Sequence, residues 1–202
     1  MKRVLYIDFD ETLFNHELFI QWISGQVSEK LHIDVSRYVN SFDEYHKAID
    51  TIHRLYDHES HISETLGLSW DEFLELAHTA VNQYRPDLLY SGADQLVYDA
   101  IRSDEFDTVA ILTYGDNTYQ RFKIGLCDQI KHVEVVVVDV PKREYLLKQT
   151  DEHGVLVDDK GPLHLPRNFK HAWVDRSNPK IKPTENDYDV HMGDRLDFGL
   201  LL

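Results

Sequence analysis

A chain of 202 residues with a single cysteine cannot close a disulfide within itself. Cys127 lies among Ile124, Leu126 and Ile130, the setting of a buried, inert thiol and not of an activated nucleophile. No apolar run approaches the roughly 18 residues that a membrane-spanning helix needs. The basic start Met1-Lys2-Arg3 leads into an apolar stretch that already ends at Asp8. That is too short for a signal peptide, so a cytoplasmic location is expected. Positive charge is scarce: 21 Lys and Arg stand against 36 Asp and Glu, a formal net charge of −15. A surface of that sign disfavours nucleic acid or an anionic membrane as the main partner. Internal repeats and low-complexity segments are also missing. With 42% hydrophobic residues the chain has room for one good core and a small second unit.

What is present is a set of short apolar runs that end in polar residues. Val4 to Ile7 reads as a buried strand, rich in β-branched and aromatic residues and too short for a helix. It runs into Asp8-Phe9-Asp10-Glu11-Thr12. Ligands of open α/β sheets collect at the carboxyl ends of strands. Asp8 and Asp10, one residue apart, can leave such an end on the same side. Two carboxylates held that close call for a cation between them, and Mg²⁺ takes carboxylate oxygens while keeping sites for water and phosphate. An Asp-rich turn after a strand is also ordinary turn or N-cap chemistry, so this run needs its context.

Three further runs supply it. Asp107 to Leu112 is a strand candidate that leads into Thr113-Tyr114-Gly115-Asp116, with a helix expected from about Asn117. A hydroxyl at that position suits a phosphate oxygen, although an N-cap is the plainer account of it alone. Val133 to Val138 reads as a strand buried on both faces. It is followed by Pro141, suited to a helix first turn, and by Lys142. Lys123 and Lys148 compete with Lys142, but both fall inside expected helices and are read as solvated. Val155 to Val157 is the last run and ends in the pair Asp158-Asp159.

In this order and spacing the four motifs resemble the haloacid dehalogenase (HAD) superfamily, specifically its phosphatase branch. The resemblance implies an α/β fold: a Rossmann-like, three-layer parallel-sheet core, formed by residues 1–14 and 89–202, with an inserted α-helical cap at 15–88. It implies a Mg²⁺-dependent phosphatase that hydrolyses a small phosphomonoester through an aspartyl-phosphate. Asp8 would be the nucleophile and Asp10 the general acid and base, its backbone carbonyl also helping to hold Mg²⁺. Thr113 and Lys142 would bind the transferring phosphoryl group. Asp158 and Asp159 would complete the metal site, with Asp159 favoured for direct contact. In the dehalogenase branch the residue two after the nucleophile is not a carboxylate, because a halide leaves without a proton. Two other readings remain open: a non-catalytic HAD-like binding or regulatory module, and a phosphotransferase or mutase.

The insert carries helical apolar spacing at Leu18, Trp22, Ile23 and Val27, and again at Tyr45, Ile49, Ile52, Leu55 and Tyr56. Ser69-x-x-Glu72 is a capping-box start, and Arg85-Pro86-Asp87 a stop. The position of this insert resembles a C1-type cap, followed by a helix from about Tyr90 to Arg102. Between 15 and 88 there are five Lys or Arg against thirteen Asp or Glu. Such an excess is mostly a solvated face. Over an active site it would favour a monophosphate whose remainder is neutral or cationic. His46, His53, His58 and His61 also lie here. The i, i+3 pair His58 and His61 could take a metal, but surface or helix-packing histidines are the favoured account. After Asp159 the charge reverses with Lys160, Arg167, Lys170, Arg176, Lys180 and Lys182. Together with Pro162, Pro166, Pro179 and Pro183 this reads as a solvated loop set. Val190 to Met192 reads as a short strand, and Leu196 to Leu202 as a closing apolar end.

Overall fold

The computed structural model describes residues 1–51, 56–84, 88–161, 163–176, 188–193 and 196–202. Ile52, His53, Leu55, the Arg85-Pro86-Asp87 stop, Pro162, Pro179, Pro183, Lys180 and Lys182 lie outside the described residues. Contacts divide the chain into two compact units. One is Met1–Asn15 with Leu89–Leu202, and the other is His16–Leu88.

The first unit is built on a six-stranded parallel sheet. Its strands are β1 (Lys2–Ile7), β2 (Thr108–Tyr114), β3 (Glu134–Val138), β4 (Glu152–Asp158), β5 (Phe169–Trp173) and β6 (Val190–His191). They lie in the order β3-β2-β1-β4-β5-β6. This is the doubly wound Rossmann-like arrangement, and its strand order reverses between β1 and β4. Val4, Leu5, Tyr6 and Ile7 are all buried, so β1 is covered on both faces. One face forms a cluster of Val4, Tyr6, Ala110, Leu112, Leu156 and Phe169 against Leu146. Gly154 lets β4 approach its neighbour: a Cβ there would meet the Val4 carbonyl oxygen at 1.7 Å.

Three strand expectations are corrected. β2 continues through Thr113 to Tyr114, because it pairs with β3 up to Val138. β3 is an edge strand in which only Val138 is fully buried, so its run of valines is not covered on both faces. Phe169–Trp173, inside the segment read as solvated loop, is a sheet strand. Lys170 and His171 interrupt the apolar run there. Lys170 points to solvent while Phe169, His171, Ala172 and Trp173 are buried.

Among the helices of this unit, α5 (Ala93–Arg102) contacts β2, α6 (Asn117–Gly125) contacts β3 and α7 (Lys142–Leu147) contacts β2. Asp116 caps α6, its carboxylate accepting from the Tyr119 N–H at 2.8 Å. Pro141 precedes α7 as its N-cap. A 3₁₀ turn, Phe198–Leu201, buries Leu201, and Leu196 is buried before it. None of the described helices is long and apolar enough to cross a membrane.

The second unit consists of α1 (His16–Leu31), α2 (Val35–Thr51), α3 (His58–His61) with a π turn at Ile62–Leu66, and α4 (Trp70–Tyr84). α1 buries Phe19, Ile23, Ser24 and Val27 and contacts α2 and α4. The capping box forms: the Ser69 N–H donates to Glu72 at 3.0 Å and the Glu72 N–H to Ser69 Oγ at 3.3 Å. His58 and His61 are buried packing residues. His61 Nε2 pairs with Ser41 Oγ at 3.0 Å and its Nδ1 with Tyr56 Oη at 2.8 Å, so both ring nitrogens are engaged. Phe42 packs against His61 with ring centroids 4.6 Å apart, and Phe73 against His58 at 5.1 Å.

Burial, and then the charge of His46, push His61 down from 6.5 to about 4. The unfolded chain therefore binds a proton that the fold excludes between those two values. Stability is fully retained above about pH 6.5 and falls as the pH drops toward about 4, by at most about 3 kcal/mol. Urea unfolding followed by circular dichroism should show this loss. His61→Gln should flatten the pH dependence in that window.

Candidate active site

The strand order brings Asp8 and the Asp158-Asp159 pair together. β1 and β4 are neighbours in register from Lys2↔Glu152 to Ile7↔Val157, so the residues that follow both strands leave the sheet side by side. The Asp8 N–H continues the pairing by donating to the Val157 carbonyl at 2.8 Å. This is the point where the strand order reverses, the position at which open α/β sheets bind their ligands.

Lys142, one helix away in sequence, supplies the cation. Its Nζ lies 2.5 Å from Asp8 Oδ1 and 2.6 Å from Asp158 Oδ2, and all three groups are buried. The second Asp158 oxygen accepts from the Lys160 N–H at 2.8 Å. Asp158 thus has a donor on each oxygen and holds Lys142 in place. Asp159 is less buried and is tied to the loop after β1: its N–H donates to Thr12 Oγ1 at 3.0 Å, and Thr12 Oγ1 donates to Asp159 Oδ1 at 3.4 Å.

Three carboxylates surround one buried ammonium, so acidic groups outnumber it. Burial, followed by repulsion from Asp158, pushes Asp8 up to about 7 even though Lys142 pulls it down. Asp159 is raised for the same two reasons. Burial works against the Lys142 ammonium as well, but Asp158 and Asp8 outweigh it and its pKa lies above the usual lysine value. The site is short of positive charge. Asp8, Asp158 and Asp159 each offer a carboxylate oxygen, all within 4.8 Å of one another. Asp8 Oδ2 is buried and accepts no hydrogen bond from the described residues. An all-oxygen, acid-rich set with an unsatisfied buried acceptor fits a hard divalent cation.

Thr113 is buried near the end of β2. Ile7 pairs with Ile111, so Thr113 lies two residues further along, on the strand beside the one that carries Asp8. The same edge therefore gathers Asp8, Asp158, Asp159, Lys142 and Thr113.

Asp10 has different company. Lys123, read from the sequence as solvated, is 99% buried, and its Nζ donates to both Asp10 oxygens at 2.5 and 2.7 Å. Gln120 Nε2 adds a bond to Asp10 Oδ2 at 2.9 Å and another to the Tyr114 carbonyl at 3.2 Å. Burial pulls the Lys123 ammonium below the ordinary lysine value, and Asp10 opposes that shift. The expectation failed because α6 turns its Tyr119, Gln120, Lys123 and Ile124 face inward. The 119, 120, 123, 124 spacing is itself a helical core stripe, and it was the one available signal. Lys148, by contrast, is exposed at the end of α7, as expected.

Arg176 also lies in the segment whose composition predicts a solvated loop. Its guanidinium instead binds the loop after β1, with Nε donating to the Glu11 carbonyl at 2.8 Å and an Nη to the Thr12 carbonyl. It lies 3.8 Å over the Tyr90 ring, and Tyr90 Oη donates to Glu11 Oε2 at 2.5 Å. Glu11 has a φ of 61°, an uncommon conformation for a residue with a Cβ, and these contacts hold it there. Trp173 Nε1 donates to the Asp159 carbonyl at 3.0 Å, fixing the other acidic loop.

No protein-family model matches the chain, and no curated protein sequence matches it. Solved structures do. A protein from Burkholderia xenovorans LB400, classed as a haloacid dehalogenase-like hydrolase, aligns with a TM-score of 0.66 at 17% identity, over 99% of this chain and 97% of that one. YfnB from Bacillus subtilis, classed as a HAD-hydrolase and solved bound to magnesium, gives 0.54 at 17% identity over 94% and 93%. A predicted phosphoglycolate phosphatase from Haemophilus somnus gives 0.54 at 11% identity over 96% and 94%. The chain has the fold of the HAD-like hydrolases. That fold carries both phosphatases and dehalogenases, so the chemistry must be argued from the site.

Arg176→Met should remove two charge-assisted hydrogen bonds and the stack on Tyr90. The expected loss is about 2–4 kcal/mol, read from denaturant unfolding. Arg176→Lys should recover less than half of it, because an ammonium cannot reproduce the guanidinium fork.

Proposed function

We propose that the protein is a Mg²⁺-dependent phosphatase that hydrolyses a small phosphomonoester through an aspartyl-phosphate on Asp8. The observation that carries this reading is Asp10, a carboxylate two residues beyond Asp8 whose side chain is 24% exposed. Loss of a halide needs no proton. Loss of an alkoxide does, and the following attack by water needs a base. A carboxylate at Asp10 serves phosphoryl chemistry and has no task in dehalogenation.

Mg²⁺ would be held by the carboxylates of Asp8 and Asp159 and by the Asp10 carbonyl. Asp158, with both oxygens already bonded, would act through Lys142. When bound, the ion supplies positive charge toward the phosphoryl oxygens. Lys142 and Thr113 would take the remaining charge on the transferring group. In the first step an Asp8 oxygen bonds to phosphorus, the bond from phosphorus to the ester oxygen breaks, and Asp10 passes a proton to that oxygen. In the second, water attacks the phosphorus of the Asp8 acyl phosphate and gives its proton to Asp10. Inorganic phosphate leaves and Asp8 is regenerated.

The helical unit His16–Leu88 would act as the cap that selects substrate and excludes water. Two features support this. Its entry and exit, Phe14 and Leu89, form a β-bridge with each other, and Phe14 also bridges to Asp10 on the nucleophile loop. Its acidic composition favours substrates with a neutral or cationic remainder, which a screen of phosphorylated metabolites for phosphate release would test.

Hydrolysis of 4-nitrophenyl phosphate should depend on Mg²⁺ and stop in EDTA. Asp8→Asn should lower turnover by more than about a thousandfold. Asp10→Asn should cost about a hundredfold or more, yet still allow slow phosphorylation, since nitrophenolate departs without a proton. Mass spectrometry should place the phosphoryl group on Asp8. Full activity in a chelated, metal-free sample, or a phosphoryl group on Ser, Thr or His, would falsify the reading.

A further inference from the structure

We propose that Lys123 and Gln120 are positioning residues for Asp10, fixing its carboxylate for both proton transfers. The inference rests on the phosphatase reading above.

A lysine buried to 99% is costly unless it is paired, and a stable fold has no need of one inside the inward face of α6. An apolar residue of the same length would fill the space between Tyr119, Phe9 and Phe14, whose rings surround the Nζ at 4.7, 5.8 and 5.8 Å. What the ammonium alone provides is a contact with each oxygen of Asp10, at 2.5 and 2.7 Å. The Gln120 amide, one turn earlier, bonds Oδ2 at 2.9 Å. Three donor contacts from one rigid helix set both the rotamer and the plane of the carboxylate. The remaining edge is the part that solvent reaches, since the side chain is 24% exposed while Lys123 is 1% exposed.

The backbone is shaped for the same contact. Gly115, with a φ of 139°, has no Cβ, and one placed there would lie 3.1 Å from Gln120 Nε2. Gln120 is thus seated against the turn that follows Thr113. That ties the Asp10 carboxylate to the strand end expected to bind phosphate. A proton donor displaced by about 1 Å loses much of its effect, so fixing the group matters as much as having it. Asp10 side-chain exposure and the buried, ringed Lys123 are the two halves of one device: a rigid back and an accessible front.

A residue that works only through Asp10 loses its effect once Asp10 cannot transfer protons. The test is a double-mutant cycle on 4-nitrophenyl phosphate with Mg²⁺, using the full chain, Lys123→Met, Asp10→Asn and the double variant. Lys123→Met should lower turnover about tenfold or more in the native background and less than about twofold in the Asp10→Asn background. The pre-steady-state burst of nitrophenolate should keep its rate, because that departure needs no proton. Gln120→Leu should repeat the pattern with a smaller loss, and it serves if Lys123→Met does not fold. Equal losses in the two backgrounds, or an equal fall of burst and turnover, would mark Lys123 as merely structural and overturn the inference. If the native chain releases no nitrophenolate, the phosphatase reading fails, and the inference falls with it. Those two failures are distinct, since only the second shows in the native protein.

Discussion

Negative charge that the fold forces together governs this molecule. The β1–β4 pairing places Asp8 beside Asp158 and Asp159 in a buried setting, where mutual repulsion is weakly screened. One lysine answers it in part, by bridging Asp8 and Asp158. The remaining acidic excess gives three carboxylates that could hold a metal ion. Strand order, the position of α7 and the loops beyond β1 and β4 all follow from, or serve, that arrangement.

The surrounding contacts limit how far the cluster can relax. Arg176 and Tyr90 hold the loop after β1 at Glu11, where φ is positive. Thr12 joins that loop to Asp159, and Trp173 holds Asp159 from β5. Carboxylates that repel one another would separate if their loops were free. Here each loop is anchored by backbone hydrogen bonds from side chains outside the cluster. The repulsion is therefore stored and not dissipated, which is what a preorganised electrostatic site requires.

Two buried lysines divide the acidic groups between them. Lys142 serves Asp8 and Asp158, and Lys123 serves Asp10. In the proposed mechanism that division would match two kinds of work: charge placed around a transferring group, and a proton moved to and from it. Each ammonium comes from a helix that follows a strand of the sheet, α7 after β3 and α6 after β2. The sheet thereby sets the positions of both cations relative to Asp8 and Asp10.

The sequence by itself determined which strands would lead into polar residues at one edge of the sheet. Short apolar runs followed by Asp8, Thr113, Lys142 or Asp158-Asp159 are local patterns, since burial of a strand and exposure of its end are written into neighbouring residues. Tertiary structure alone decided the rest. Lys123 looks like any helical lysine until the inward face of α6 is known, and Arg176 looks like one more charge in a basic loop. Each acts across more than a hundred residues of chain, on Asp10 and on Glu11 and Thr12. β5 was hidden because Lys170 and His171 break its apolar run, and β3 was misjudged because edge or centre depends on the partner strands. A residue's own neighbours report its burial and propensity. They do not report which distant group it will meet, because that is set by strand order and helix packing.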